Sequence, residues 1–341
     1  MPDKWVPVSL RATLLLAEPA LSTAEGLGMR CGVYFIAPLT PRTAVRLGMR
    51  WKIVLAFLAV YLCWGMTYLA MRIAVRDIPP HLMSGARFLV AGLVLYLWTR
   101  RRGDARPTAI QWRAAAMVGA FLLLGGNATV AWAEQQVPSG LAAVLIAVAP
   151  IWMVAFEWAR GGPRPGKRVI AGLILGLVGM ALLVSPKGDT TTQVNLIGAV
   201  MLVLASASWA WGSVVSKSAP LPKSPFLATS MEMIGGGVLL LLTALAVGQF
   251  AHFRPTEVSA NAVLAWLFLV VFGSLVGFTA YIWLLGVTSI AKVGTYAYVN
   301  PIVAVFLGWA ILDEPVTGRT LIAALVILVG VALVNLEWKT S

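Results

Sequence analysis

Two charged side chains stand deep inside apolar stretches of this 341-residue chain, Arg87 and Glu232. A charge at membrane depth is costly and marks a functional candidate by default. A guanidinium there offers a fork of donors to a carboxylate. A carboxylate there can bind and release a proton. The plainer alternative is that each charge is satisfied locally and only positions its helix. Helical spacing gathers further polar groups. Ser84 shares a face with Arg87, and Thr229 and Gly236 share one with Glu232. Asn127 and Glu134 lie on one face seven residues apart. Tyr61, Trp64 and Tyr68 form an aromatic stripe, and Lys292, Tyr296 and Asn300 form another. Such faces are expected to line a cavity. Trp64, Trp132, Trp211 and Trp283 fall within apolar runs and join the candidate pathway, with packing as the competing role. Trp51, Trp98, Trp112, Trp158, Trp309 and Trp338 stand at run ends and read as an interfacial belt. Pro150 and Pro301 also fall inside apolar runs. Each removes a backbone hydrogen bond and bends its helix, as a hinge or a static kink.

The elements that must position these residues follow from composition. Hydrophobic residues make up 60% of the chain and charged residues 11%, against about 25% charged in a soluble domain. The apolar runs are about 20 residues long, enough to cross about 30 Å of hydrocarbon as helix. A soluble enzyme, a nucleic-acid-binding domain and a β-barrel are excluded on these grounds. Ten spans are expected: 53–74, 81–98, 114–133, 140–158, 169–185, 196–216, 226–247, 262–285, 291–312 and 321–336. The fold class is an all-α integral membrane protein. Cys31 and Cys63 make no disulfide framework, and no metal-ligand spacing is present. No catalytic residue, metal or cofactor is expected.

The net charge of +13 reflects loop asymmetry. With a cytoplasmic N-terminus, 17 lysines and arginines fall on the inner side and 5 on the outer. That bias places both termini in the cytoplasm. The charges face lipid headgroups, so no nucleic-acid partner is expected. Residues 1–48 fit none of this pattern. They read as a disordered tail, or as an extension ahead of a natural start at Met49-Arg50-Trp51-Lys52.

The two halves match at a constant offset of 151 from Ala114 to Val184. Trp132 falls on Trp283, Pro150-Ile151 on Pro301-Ile302, and Leu177-Val178-Gly179 on Leu328-Val329-Gly330. Trp64-Gly65 matches Trp211-Gly212 at an offset of 147, and Gly92 matches Gly237 at 145, which makes Arg87 and Glu232 equivalent. An odd number of spans per copy inserts the second copy upside down. Two five-helix repeats are expected, at 52–186 and 195–338, around a central cavity. An arrangement open to one side then implies its mirror state, which suits alternating access. Arg87 and Glu232 each lie about 10 Å deep from opposite sides, so they should not pair. Gly172 and Gly176 form a small-residue stripe, for packing within the chain or for a homodimer seam.

The sequence resembles the EamA-type exporters of the drug/metabolite transporter superfamily over residues 52–338. The motifs are Trp64-Gly65 with Tyr68, Arg87-Phe88-Leu89, Ala133 to Gly140, Ser208 to Ser213, Tyr296 to Val305, and Asp313-Glu314-Pro315 with Gly330. Glu134 to Gly140, Glu232-Met233 and Tyr296 to Pro301 resemble the YedA-type subgroup. Gly162-Pro163 stands where many relatives carry an acidic residue after the fourth span, so Glu314 has no counterpart. The resemblance implies an inner-membrane exporter of amino acids or related metabolites, often driven by protons. Trp64, Tyr68, Arg87, Asn127, Trp132, Glu134, Trp211, Trp283, Tyr296 and Asn300 are then the pathway candidates, Glu232 the proton carrier, and Pro150 and Pro301 the hinges. Expected partners are a small-molecule substrate, the lipid bilayer and protons. The competing functions are an uncoupled facilitator and a membrane enzyme. Against the enzyme, no nucleophile elbow or phosphate loop is present.

Overall fold

The computed structural model describes residues 41–133, 135, 137, 145–184, 196–312 and 317–336. Met1–Gly48 and Met49–Ser341 separate as two compact units. Of the first, residues 41–48 are helical.

Every regular element among the described residues is a helix. They are α1 (Pro41–Ala74), α2 (Pro80–Arg101), α3 (Ala109–Ala133), α4 (Ala149–Ala159) and α5 (Lys167–Val184). Then follow α6 (Leu196–Ser216), α7 (Pro225–Ala246), α8 (Ala260–Val287), α9 (Tyr296–Leu312) and α10 (Gly318–Leu336). Seven of these are long and apolar enough to cross a membrane, α1 counted from Met49. The shorter α4, α5 and α9 stand where the sequence places the fourth, fifth and ninth spans. A short helix, Ile290–Gly294, precedes α9.

Local chemistry sets the helix ends. Thr108 and Gln111 make a reciprocal capping box at the start of α3. The Ser224 hydroxyl caps α7 ahead of Pro225. Gln249, from a short helix after α7, accepts hydrogen bonds from the His81 and Leu82 amides at 3.1 Å each. That long-range contact satisfies the first amides of α2, which has no side-chain cap of its own.

Two helix pairs carry the fold. α2 lies against α7, and α5 against α10. Both contacts are reciprocal. A β-carbon on Gly92 would lie 2.9 Å from the Ser230 carbonyl, and one on Gly237 would lie 3.2 Å from the Gly85 carbonyl. Gly85 and Ser230 are equivalent at the same offset as Gly92 and Gly237. Likewise a β-carbon on Gly172 would lie 2.6 Å from the Gly330 carbonyl, and one on Gly179 would lie 3.1 Å from the Ala323 carbonyl. Residue i thus meets j where the equivalent of i meets the equivalent of j. That is the signature of a two-fold relation between the halves. Small residues serve here because helix association in lipid rests on close backbone approach. The Gly172 stripe is therefore used within the chain, with Gly176 under the Tyr298 ring. The outer face of α10 exposes Leu321, Ile322 and Leu325, each above 60%, as suits contact with lipid.

Two features were not foreseen. Ala120–Ala128 in α3 and Leu269–Phe278 in α8 are π-helical, and they are equivalent stretches of the repeat. The wider turn frees carbonyls that other helices then satisfy. Ser208 Oγ donates to the Phe121 carbonyl at 2.9 Å, and Trp64 Nε1 donates to the Gly273 carbonyl at 3.0 Å. The second feature concerns Pro150. It sits in the first turn of α4, after a break at residues 147–148, where a missing amide costs nothing. Pro301 does lie inside a helix, α9.

Candidate functional site

We orient the bundle by α1, from its Met49 end to its Ala74 end. A cavity of about 90 Å³ lies between the halves. It is lined from α1 by Trp64, Thr67 and Met71, from α2 by Arg87 and Phe88, and from α3 by Gly126, Asn127 and Val130. Ala149, Ser206, Trp209, Gly273, Phe278, Tyr296 and Asn300 complete most of the wall. Met71, Arg87 and Val130 are each within about 10 Å of the Ala74 end, at 1.5 Å per residue.

Arg87 is 3% exposed. Its Nε donates to Ser274 Oγ at 2.8 Å, and its guanidinium lies 4.6 Å from the centre of the Phe88 ring. Its Nη1 is buried without a partner. Asn127 Oδ1 and Asn300 Oδ1 are also buried without partners. One cavity therefore presents a cationic donor and two amide groups with unused capacity. Buried polar atoms are nearly always paired, so three in one apolar chamber point to a ligand or water that completes them.

Toward the Met49 end the cavity is floored by aromatic rings. Trp64 packs on Tyr281 at 5.0 Å, on Tyr296 at 5.0 Å and on Trp209 at 5.5 Å between ring centroids. Trp209 Nε1 donates to the Tyr281 hydroxyl at 2.9 Å, and the Ser213 hydroxyl shares a hydrogen bond with the same oxygen. Glycines in the π-helices make room for the two indoles. A β-carbon on Gly126 would lie 2.9 Å from the Trp209 ring, and one on Gly277 would lie 2.5 Å from Trp64 Nε1.

Glu232 lies on the far side of this floor, seven residues into α7 from the Met49 end. It is fully buried. Ser216 Oγ donates to its Oε1 at 3.3 Å, and Oε2 has no partner. No ion pair joins it to Arg87. The one salt bridge among the described residues, Lys217 to Glu157 at 2.6 Å, closes the α4–α6 seam at the Met49 end. Beside it Arg160 donates to Ser218 at 3.3 Å and lies 5.3 Å from the Trp211 ring centre. Trp152 stacks on Phe156, which meets Trp211 edge-on, in the seam beneath the cavity.

Of the sequence candidates, Trp64, Arg87, Asn127, Tyr296 and Asn300 come together on the cavity wall. Trp211 lies in the α4–α6 seam, Trp132 packs beside Ala133, Val137 and Leu202, and Trp283 packs against the central core. None of these three is a lining residue. Tyr68 is within α1, but its side chain, like all of Glu134, falls outside the described residues. Sequence reasoning missed Trp209, Phe278 and Tyr281. The first stands inside the quoted Ser208 to Ser213 motif. The other two sit in a run so apolar that no periodicity separates an inner face from an outer one.

A helical bundle whose two halves are related by inversion, with a mainly apolar chamber between them that holds a few polar groups, defines a class of multi-pass membrane protein. The EamA-like transporter family matches residues 51–185 and 196–336, and the chain belongs to that family. It is 37% identical over 282 residues to the inner membrane transporter YedA of Escherichia coli K12, covering 82% of this chain and 90% of YedA. It is 27% identical to the transporter YvbV of Bacillus subtilis 168, covering 86% of this chain and 93% of that one. A probable amino-acid metabolite efflux pump of Escherichia coli K12 is 22% identical, covering 84% and 96%. One protein of known crystal structure superposes with a TM-score of 0.69 at 19% identity, over 83% of this chain and 96% of the other. At that identity it shows the fold alone.

Proposed function

We propose that this protein is a secondary-active exporter of small zwitterionic metabolites, working by alternating access and coupled to protons. The observation that carries the reading is the cavity with unpartnered Arg87 Nη1, Asn127 Oδ1 and Asn300 Oδ1. Arg87 binds the substrate carboxylate in a charge-assisted hydrogen bond. Asn127 and Asn300 accept from its ammonium. Phe88, Trp209, Phe278 and Tyr296 pack on its side chain. A chamber of about 90 Å³ favours a metabolite over a drug-sized ligand, for which roughly 300–1,000 Å³ is usual. The charge asymmetry supports a cytoplasmic location for both termini. The described state is then sealed toward the cytoplasm by the aromatic floor and the α4–α6 seam. Export is supported by the amino-acid metabolite efflux pump among the relatives. Glu232 carries the coupling proton, since it is buried on the inner side of the floor with an oxygen free.

The test is binding to the purified protein in nanodiscs. A panel of free amino acids is compared with their methyl esters, which lack the carboxylate, and their N-acetyl forms, which lack the ammonium. The reading expects free amino acids to bind at least tenfold more tightly than both derivatives. Equal affinity for ester and acid would remove Arg87 from substrate recognition.

A further inference from the structure

Tyr281 is fully buried and does not line the cavity. Its ring nevertheless touches the floor from below. It lies 5.0 Å from Trp64, 5.4 Å from Trp209 and 5.6 Å from Tyr296 between centroids. Its hydroxyl is held by Trp209 Nε1 and by Ser213 Oγ. Ser213 is one helical turn from Ser216, which donates to Glu232. Tyr281 thus touches the substrate chamber's floor on one side and, through Ser213, the turn of α6 whose Ser216 holds Glu232 on the other.

We propose that Tyr281, braced by Ser213, is the positioning residue that links occupancy of the cavity to the protonation of Glu232. This rests on the proton-coupled reading above and goes beyond it. Substrate pressing on Trp209 shifts the indole that fixes the Tyr281 hydroxyl. The hydroxyl then turns toward or away from Glu232. Turned toward it, the O–H donates to the carboxylate and favours its charged form. Turned away, it leaves the buried carboxyl with Ser216 as its one donor and favours the neutral form. By reciprocity, a change of charge on Glu232 must move Trp209 in return. Other charged or titratable groups lie on the elements packed against α7: His81, Arg87, Tyr96, Arg100, Arg101, Arg113 and His252. Among the described residues none of them hydrogen-bonds or ion-pairs with Glu232, whose hydrogen bond comes from Ser216. The link is also one-sided. The repeat equivalents of Tyr281 and Ser213 are Val130 and Met66, so Arg87 has no such connection.

The experiment needs no substrate. The full chain in nanodiscs is titrated with acid while two signals are followed. One is the infrared band of the protonated carboxyl, assigned to Glu232 by its loss in Glu232→Gln. The other is the emission component lost in Trp209→Phe. In the wild type the two should change together over one pH range. In Tyr281→Phe the carboxyl band should still titrate, while the Trp209 change falls at least fivefold. Ser213→Ala, which leaves the ring in place, should weaken it as well. A Trp209 signal that follows Glu232 undiminished in Tyr281→Phe overturns the inference and leaves the proton reading standing. A wild-type carboxyl band that does not titrate overturns both.

Discussion

Replacing Arg87 by methionine should separate function from stability with opposite signs. The methionine keeps much of the stem length and removes the guanidinium. Among the described residues that group makes one side-chain hydrogen bond, to Ser274 at 2.8 Å, and leaves Nη1 buried without a partner. The Ser274 bond is worth about 1.5–3 kcal/mol as a contact to a charged group. Against it stands the desolvation of a cation that is 3% exposed, which costs several kcal/mol. The two roughly cancel or favour the variant, so Tm should hold or rise. Binding goes the other way. A substrate carboxylate loses a charge-assisted bond of about 1.5–3 kcal/mol, which is about 10- to 100-fold in Kd. The assay is thermal unfolding and equilibrium binding on the same nanodisc sample, using the amino acid that binds the wild type most tightly. A fall in Tm of more than 5 °C with unchanged affinity would refute the reasoning, since Arg87 would then be structural.

Other expectations follow from the same geometry. Asn127→Leu and Asn300→Leu should each weaken binding of a free amino acid by about 1–3 kcal/mol and leave its N-acetyl derivative unaffected, as the same titrations will read. Gly172→Val should destabilise by about 1–3 kcal/mol from overpacking, because its side chain meets the Gly330 carbonyl at 2.6 Å. Gly286→Ala, with open space around it, is the control and should not lower Tm. The Asp77 carboxylate accepts hydrogen bonds from the Ser259 hydroxyl and amide, which hold it below the ordinary aspartate range. A depressed folded value means its contribution is present above about pH 4 and lost as pH falls below it. Asp77→Asn should accordingly flatten the fall in Tm between pH 5 and pH 3, and parallel curves for the two proteins would contradict this. The Glu157–Lys217 bridge is partly exposed, so Glu157→Gln should cost less than about 1 kcal/mol, and swapping both charges should restore Tm.

The helices and their inverted pairing were legible because lipid imposes a simple rule. Any apolar run of sufficient length becomes a helix, and the offsets of 151 and 145 carry over into the reciprocal contacts of Gly172 with Gly330 and of Gly92 with Ser230. Arg87, Asn127, Tyr296 and Asn300 were legible as polar atoms that apolar surroundings must justify. The aromatic floor was not. Trp209 and Trp211 are two residues apart and differ only in which side of α6 they take, and hydropathy does not rank two tryptophans. The π-helices were hidden for a related reason, since a widened turn leaves no mark in an all-apolar run beyond a few glycines. Pro150 read as a mid-helix kink because the run around it is continuous, whereas the chain breaks at 147–148 and restarts. Gln249 at the head of α2 is a contact between residues 168 apart, beyond any local signal.

The measurement closest to the central claim is counterflow in proteoliposomes. A panel of labelled amino acids and cationic dyes is offered with and without an inward-acid pH gradient, to the wild type and to Glu232→Gln. The account predicts that at least one amino acid exchanges, that the gradient accelerates it in the wild type, and that Glu232→Gln still exchanges but ignores the gradient. Exchange indifferent to the gradient in the wild type, or no exchange of any compound, would contradict it.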